Sequence, residues 1–267
     1  MRSRIPILLY HDLESSEFPN EKTNLATKFT VVQGHHFESQ LKYLSENGCK
    51  TISLCRFFQI KDDLKTSSKK IVITFDDGHY SHYHIAYKLL QKYNFTGTFF
   101  IIADMIDQPC YLTTSQIKEM AEKGMEIGSH GASHQYLPLL APAKMKEELQ
   151  RPKIILEDIT GNSVNFFAYP GGHYNKMVLQ QLRSSGYAGA CSCLQGLNSS
   201  RTDPFLLRRL EVRSNVSIDD FQNYFNPINI WYYQLVDNAK RVLRATIGLH
   251  RYSKLRQKLY KFYIFKR

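Results

Sequence analysis

Apolar and polar positions follow two rhythms along this chain, and the rhythms take turns. Short apolar runs, rich in β-branched and aromatic residues, fall near residues 5–10, 70–76, 97–102, 125–129, 166–169, 188–192 and 208–212. Between them, apolar residues recur at helical spacing over 36–47, 81–93, 113–123, 142–160 and 175–185. A short buried run followed by an amphipathic helix is one βαβ unit, so the repetition predicts an α/β protein with a parallel sheet. Periodicity alone fits an open sheet and a barrel equally well. With 267 residues the chain has length for one large core.

Charge divides the chain unevenly. Residues 230–267 hold ten Lys and Arg against one Asp, whereas residues 1–229 hold 25 basic against 23 acidic side chains. The expected organisation is therefore a main domain over 1–229 and a basic C-terminal extension over 230–267. In that extension Tyr252, Leu255, Leu259 and Phe262 recur at helical spacing, and Phe262 to Phe265 crowd the end. A basic amphipathic helix with aromatics suits an anionic membrane surface. It also suits a partner protein, a nucleic acid or plain packing on the main domain. The nucleic-acid reading rests on the tail charge alone. Five cysteines at uneven spacing offer no disulfide framework. The apolar run after the first four residues is too short for a signal peptide, and no stretch approaches the roughly 18 apolar residues of a membrane span. The expectation is a cytoplasmic protein, peripheral at the inner face of the membrane if the tail binds it.

Candidate chemistry begins where a strand breaks. Ile71-Val72-Ile73-Thr74-Phe75 runs into Asp76-Asp77-Gly78, placing two carboxylates at the C-terminal end of a buried strand. That end is where α/β folds bind ligands. A lone Asp-Asp-Gly also fits a helix cap and a solvated neighbour. A second segment changes the weighing: His130-Gly131-Ala132-Ser133-His134. Its intervening residues include no general base, and it fits a loop as well as a helix start. One carboxylate and two imidazoles make a three-ligand metal set with a position left for water, and the other carboxylate is then spare as a base. A third run, Phe166-Phe167-Ala168-Tyr169-Pro170-Gly171-Gly172, breaks at Pro and Gly, where a backbone N–H would meet an oxyanion. Tyr169 and Tyr174 fit ordinary core or rim packing and, equally, aromatic rings facing a ligand. His79 is near enough to line a cleft, while His82 and His84 read as helix-surface residues; all three stand outside the expected site.

The chain resembles the polysaccharide deacetylases of the NodB-homology group, carbohydrate esterase family 4. Thr74 to Gly78 matches the family's Thr-Phe-Asp-Asp-Gly in full. His130 and His134 match its His-Ser/Thr-x-x-His, with Gly131 at the hydroxyl position. Its Arg-x-Pro-Tyr matches only at Pro170, with Ala168 and Gly171 at the Arg and Tyr positions. The resemblance spans about residues 1 to 225. It implies a distorted (β/α) barrel of about seven parallel strands. It further implies a divalent metal on Asp77, His130 and His134, Asp76 as general base and Gly171 N–H at the oxyanion. Zinc suits the donor set, as do cobalt, nickel, manganese and iron.

The family's late Leu-x-His acid motif has no convincing match. Pro6-Ile7-Leu8-Leu9-Tyr10-His11 instead resembles the circularly permuted poly-N-acetylglucosamine deacetylase branch, which implies His11 as general acid. In that branch an Arg sits in a Leu-x-Arg-Ile/Leu-x-Val pattern, matched at Arg209, which then becomes a candidate to orient Asp76. The implied activity is removal of N-acetyl groups from a GlcNAc-type polysaccharide or its lipid-linked precursor, with Tyr169, Pro170 and Tyr174 at the substrate. A metal-poor glycan-binding or accessory protein of a glycan assembly complex is the alternative, and a small-molecule amidase a weaker third.

Overall fold

A computed structural model describes residues 4–16, 29–60, 69–248, 251, 252 and 255. Ten strands lie among them: β1 (Ile7–Tyr10), β2 (Asp12–Glu14), β3 (Val31–Gln33), β4 (Lys50–Thr51), β5 (Lys70–Phe75), β6 (Thr98–Ile101), β7 (Glu126–Ser129), β8 (Phe166–Ala168), β9 (Gly189–Cys191) and β10 (Leu210–Glu211). Eight of them form one curled sheet in which every pairing is parallel: seven in the order β10-β1-β5-β6-β7-β8-β9, with β4 added beside β5. A bridge from Cys191 to Leu207 brings β9 to the segment entering β10. The architecture is a distorted (β/α) barrel, and each of the seven predicted apolar runs supplies one of its strands.

Strand parity sorts the core into two parts. Ile71, Ile73 and Phe75 face outward into the cluster shared with the surrounding helices. Val72 faces inward, where it meets Ile5, Ile7, Phe100, Phe166, Ala168, Cys191 and Leu207. Gly128 of β7 has to be glycine on this inner face, because a Cβ there would come within 2.5 Å of the Phe100 ring.

The helices form at Gly34–Glu46, Lys88–Lys92, Thr114–Glu122, Pro142–Thr160 and Lys176–Ser184, close to their predicted spans. Local chemistry fixes several ends. Thr113 and Gln116 make a reciprocal capping box, and Gly161 closes the long helix in a left-handed conformation with φ 68°. The predicted 81–93 helix forms in two parts, a π-helix over His82–Tyr87 running into the α-helix. A helix not foreseen, Leu54–Ile60, plugs the base of the barrel with Leu54 and Phe57. Its first amides donate to the carboxylate of Glu126 at 2.8 and 2.9 Å, and Thr98 Oγ1 donates to the same group at 2.7 Å. Burial raises the pKa of Glu126 above the ordinary carboxylate value, against the pull of those donors. The last long helix, Pro227–Ile247, starts just before the expected boundary at 230. Of the predicted tail stripe, Leu259 and Phe262 to Phe265 lie outside the described residues.

Candidate active site

The inward parity that fills the barrel also selects the residues at its mouth. Asp76 continues the inner row of Val72 and Thr74, His130 that of Glu126 and Gly128, and Arg209 that of Leu207. Asp77 breaks the rule. Parity alone would turn it outward, but its backbone sits at φ 82° and Gly78 follows at φ 76°. This left-handed turn costs a non-glycine residue energy, and it swings the carboxylate back over the mouth.

Asp77 Oδ1 then lies 3.3 Å from His130 Nε2 and 3.5 Å from His134 Nε2, and the three donor atoms lie within 4.8 Å of one another. His130 Nδ1–H donates to the carbonyl of Ala168 at 2.8 Å, which aims Nε2 at Asp77. His134 reaches the cluster from a loop, not a helix. Gly131 turns that loop at φ 85° and His134 itself has φ 59°. The buried carboxylate of Glu148 holds the loop, accepting from Ala132 N at 3.0 Å, Ser133 N at 2.9 Å and Ser133 Oγ.

Charge in the cluster is organised around the carboxylates. Burial alone would raise Asp77, but hydrogen bonds from His130 and His79 hold it well below the carboxylate range. Burial alone would lower His130, yet Asp76 and Asp77 together raise it. His134 is pushed down to about 4 by desolvation and by the neighbouring His130. Two nitrogens and one oxygen, converging with the ring tautomer of His130 already fixed, are a donor set that fits a divalent cation.

Asp76 faces a different partner. Arg209 grips both of its oxygens at 2.7 Å, donates from Nε to Ser192 O at 3.0 Å and reaches Thr74 Oγ1 at 3.3 Å. Arg209 is only 1% exposed, so this is a fully desolvated pair. Burial would raise the Asp76 pKa, and the arginine outweighs it and keeps the group ionised. Arg209 enters from the segment that leads into β10, with β9 between it and Ala168. Ala168 stands at the family motif's arginine position, and its carbonyl serves His130 instead.

His11 follows β1 on the inner parity of Ile7 and Leu9, beside Asp76, because β1 and β5 pair Tyr10 with Phe75. What holds it was not legible in the sequence. The fully buried His82, on the π-helix, bonds the backbone carbonyl of His11 through Nε2. Desolvation and the neighbouring His79 push His82 down to about 4, so it is a neutral donor. The expected surface position for His82 is therefore corrected; a π turn rotates it into the wall of the mouth. His79 also belongs here, 3.6 Å from Asp77 Oδ2 and 3.9 Å from Asp12 Oδ2, with its ring stacked on Tyr111. The sequence already put His79 near the cleft, but no spacing rule marks His82, which only the approach of the π-helix to the strand end brings in.

The third segment supplies a correction as well. Tyr169 is 0% exposed, and its hydroxyl donates to Phe205 O at 2.9 Å, so it is core and out of reach of a sugar. Pro170 is buried against Gly131. Tyr174 is half-buried, its ring 5.4 Å from that of Tyr169. Gly171 is exposed at φ 62°, and a Cβ there would come within 2.8 Å of the Tyr136 ring. Tyr136 thus supplies the aromatic ring beside the position where the family motif has Tyr. Tyr136, His134, Gln135, Leu139 and Leu140 line a cleft of about 300 Å³.

The model of the polysaccharide deacetylase family matches residues 63–190. YxkH of Bacillus subtilis (strain 168), which carries the polysaccharide deacetylase name, is 30% identical over 227 residues, 85% of this chain and 77% of that protein. The chain belongs to the polysaccharide deacetylase family. This deacetylase homologue is also 26% identical over 200 residues to the poly-β-1,6-N-acetyl-D-glucosamine N-deacetylase of Staphylococcus aureus (strain MSSA476), covering 67% of the chain and 68% of the relative. Its barrel matches the Streptococcus pyogenes deacetylase PplD, solved with acetate, at a TM-score of 0.76 and 26% identity, over 85% of this chain and all of that one. It is a NodB-type domain of carbohydrate esterase family 4.

Proposed function

We propose that the protein is a metal-dependent N-deacetylase acting on a GlcNAc-type sugar within a glycan. The observation that carries this reading is the pairing of two environments at one mouth. Asp77, His130 and His134 converge as a donor set, and Asp76 stands beside them ionised and fixed by Arg209. A divalent cation held by Asp77, His130 and His134 would supply Lewis-acid polarisation of the acetamide carbonyl and a water of lowered pKa. Zinc is the metal we favour for two imidazoles and a carboxylate.

The protein's own groups do the rest. Asp76 takes a proton from the attacking water, and the two-point grip of Arg209 stops it from rotating away to bind the cation itself. His11, at the end of β1, returns a proton to the departing amine nitrogen. An amine leaves poorly without one, and a positioned acid is worth roughly 100- to 10,000-fold. The Gly171 N–H faces the growing negative charge on the carbonyl oxygen. The half-open cleft beside His134 receives the sugar, with Tyr136 and Leu139 against its apolar face. The products are acetate and a glucosamine-type unit. The Staphylococcus aureus relative, named for poly-β-1,6-N-acetyl-D-glucosamine, supports a β-linked N-acetylglucosamine polymer as the first substrate to try.

The test is acetate release from N-acetylglucosamine oligomers and small amides, with Asp76→Asn as control. Release from the oligomers that the control abolishes supports the reading. No release by metal-loaded protein from any N-acetylated glycan would leave a glycan-binding role in its place.

A further inference from the structure

The helix Pro227–Ile247 docks on the barrel by one face and, among the described residues, leaves the other bare. On the docked face Ile230 is buried and the Tyr233 ring meets that of Tyr224 at 6.1 Å. Gln234 lies over Gly196, where a Cβ would come within 2.6 Å of its Nε2. Gly196 lies in the loop that follows β9, at the barrel end where Asp76 and His130 open. The same loop accepts from Arg209 N at Leu194 O.

The bare face is apolar. Ile228, Trp231, Tyr232, Leu235, Val242 and Leu243 are 73, 64, 58, 51, 63 and 42% exposed. At 3.6 residues per turn the six fall in one stripe about 120° wide and about 23 Å long. A solvated helix carries polar residues on its outer face; this one has aromatic and aliphatic side chains there. Scattered apolar residues need no explanation, but an aligned stripe of six marks a contact surface.

Charge identifies the partner. The stripe lies in the most basic part of the chain, since residues 230–267 carry ten Lys and Arg against one Asp. A second protein would need a matching acidic groove, and a second copy of this chain would bring its own excess of positive charge. An anionic bilayer meets both features at once, because Trp and Tyr settle at headgroup depth and Lys and Arg pair with the phosphates. No described helix is long and apolar enough to cross a membrane. We propose that Pro227–Ile247 lies flat in the interface of an anionic bilayer, with its Ile228–Leu243 stripe among the lipids and the catalytic rim of the barrel beside the surface.

Trp231 is the sole tryptophan of the chain, so its emission reports this stripe alone. The experiment titrates the full chain with vesicles of phosphatidylglycerol and, separately, of phosphatidylcholine, at low and high salt. The expected result is a blue shift of Trp231 with phosphatidylglycerol that weakens as salt rises, and little shift with phosphatidylcholine. Leu235→Glu with Val242→Glu, which keeps the probe, should weaken vesicle binding about tenfold or more and leave acetate release from soluble oligomers unchanged. An emission maximum untouched by phosphatidylglycerol would overturn the proposal. So would a maximum already blue-shifted without lipid in a protein that sediments as a dimer, which would assign the stripe to a second copy. Equal binding to both lipids, insensitive to salt, would overturn the electrostatic part.

Discussion

At the residue scale, the site works by giving two adjacent aspartates different lives. Asp77 is bent over the mouth by a left-handed backbone, while Asp76 stays in strand parity and is clamped by Arg209. Replacing Asp76 with Asn keeps the shape and removes the base, so acetate release should fall by about 100-fold or more, and because the buried Arg209 loses its counter-charge the melting temperature should fall as well. Arg209→Met breaks the same pair from the other side. It leaves a buried carboxylate unpaired, at about 3–5 kcal/mol in stability by denaturant unfolding. His82 makes a third prediction, with a pH signature. Its folded pKa of about 4 lies below that of the free imidazole, so the unfolded chain binds the proton more readily. Its contribution is present above about pH 6.5 and is lost as pH falls toward 4. The melting temperature of the native protein should drop over that window, and His82→Gln should flatten the drop. Gln retains an amide to donate to His11 O, so it should keep most of the turnover. His82→Leu cannot donate, and should lower kcat up to about 100-fold as His11 drifts. Equal kcat for the two variants would remove His82 from the positioning of His11.

At the scale of elements, loops carry ligands and buried carboxylates hold the loops. Glu148, on the helix Pro142–Thr160, satisfies two amides and a hydroxyl in the turn that presents His134. Glu148→Gln touches no ligand, yet it should weaken metal binding by about 10- to 100-fold, measurable by competition with a chelating dye. Glu126 plays the same part at the base of the barrel, where it caps the plug helix Leu54–Ile60. Neither carboxylate stood out in the sequence. A glutamate in an amphipathic helix or at a strand start looks like any solvated one until packing surrounds it. The regular strands and helices were legible, because their burial repeats along the chain. The plug helix was not: seven residues are too few for periodicity to speak.

At the scale of the whole molecule, the barrel core stands apart from the proposed cation site. Two apolar clusters, inside and outside the sheet, hold the strands without any help from the three ligands. Chelation should therefore abolish acetate release while the far-ultraviolet circular dichroism persists, and added zinc or cobalt should restore turnover. Collapse of the fold on chelation would show that the cation is structural instead.

The amino-acid sequence by itself determined the alternation of strands and helices, the strand end at Asp76 and Asp77, and the histidine pair, because each is a local pattern written in consecutive residues. Tertiary structure alone decided which of ten histidines share a wall, that Tyr169 is core, and that Tyr136 fills the place beside Gly171, and it turned Arg209 from a candidate into the residue that grips Asp76. The reason is geometric. Strand parity and barrel closure bring together residues more than a hundred positions apart, and no local spacing encodes where a curled sheet will meet itself.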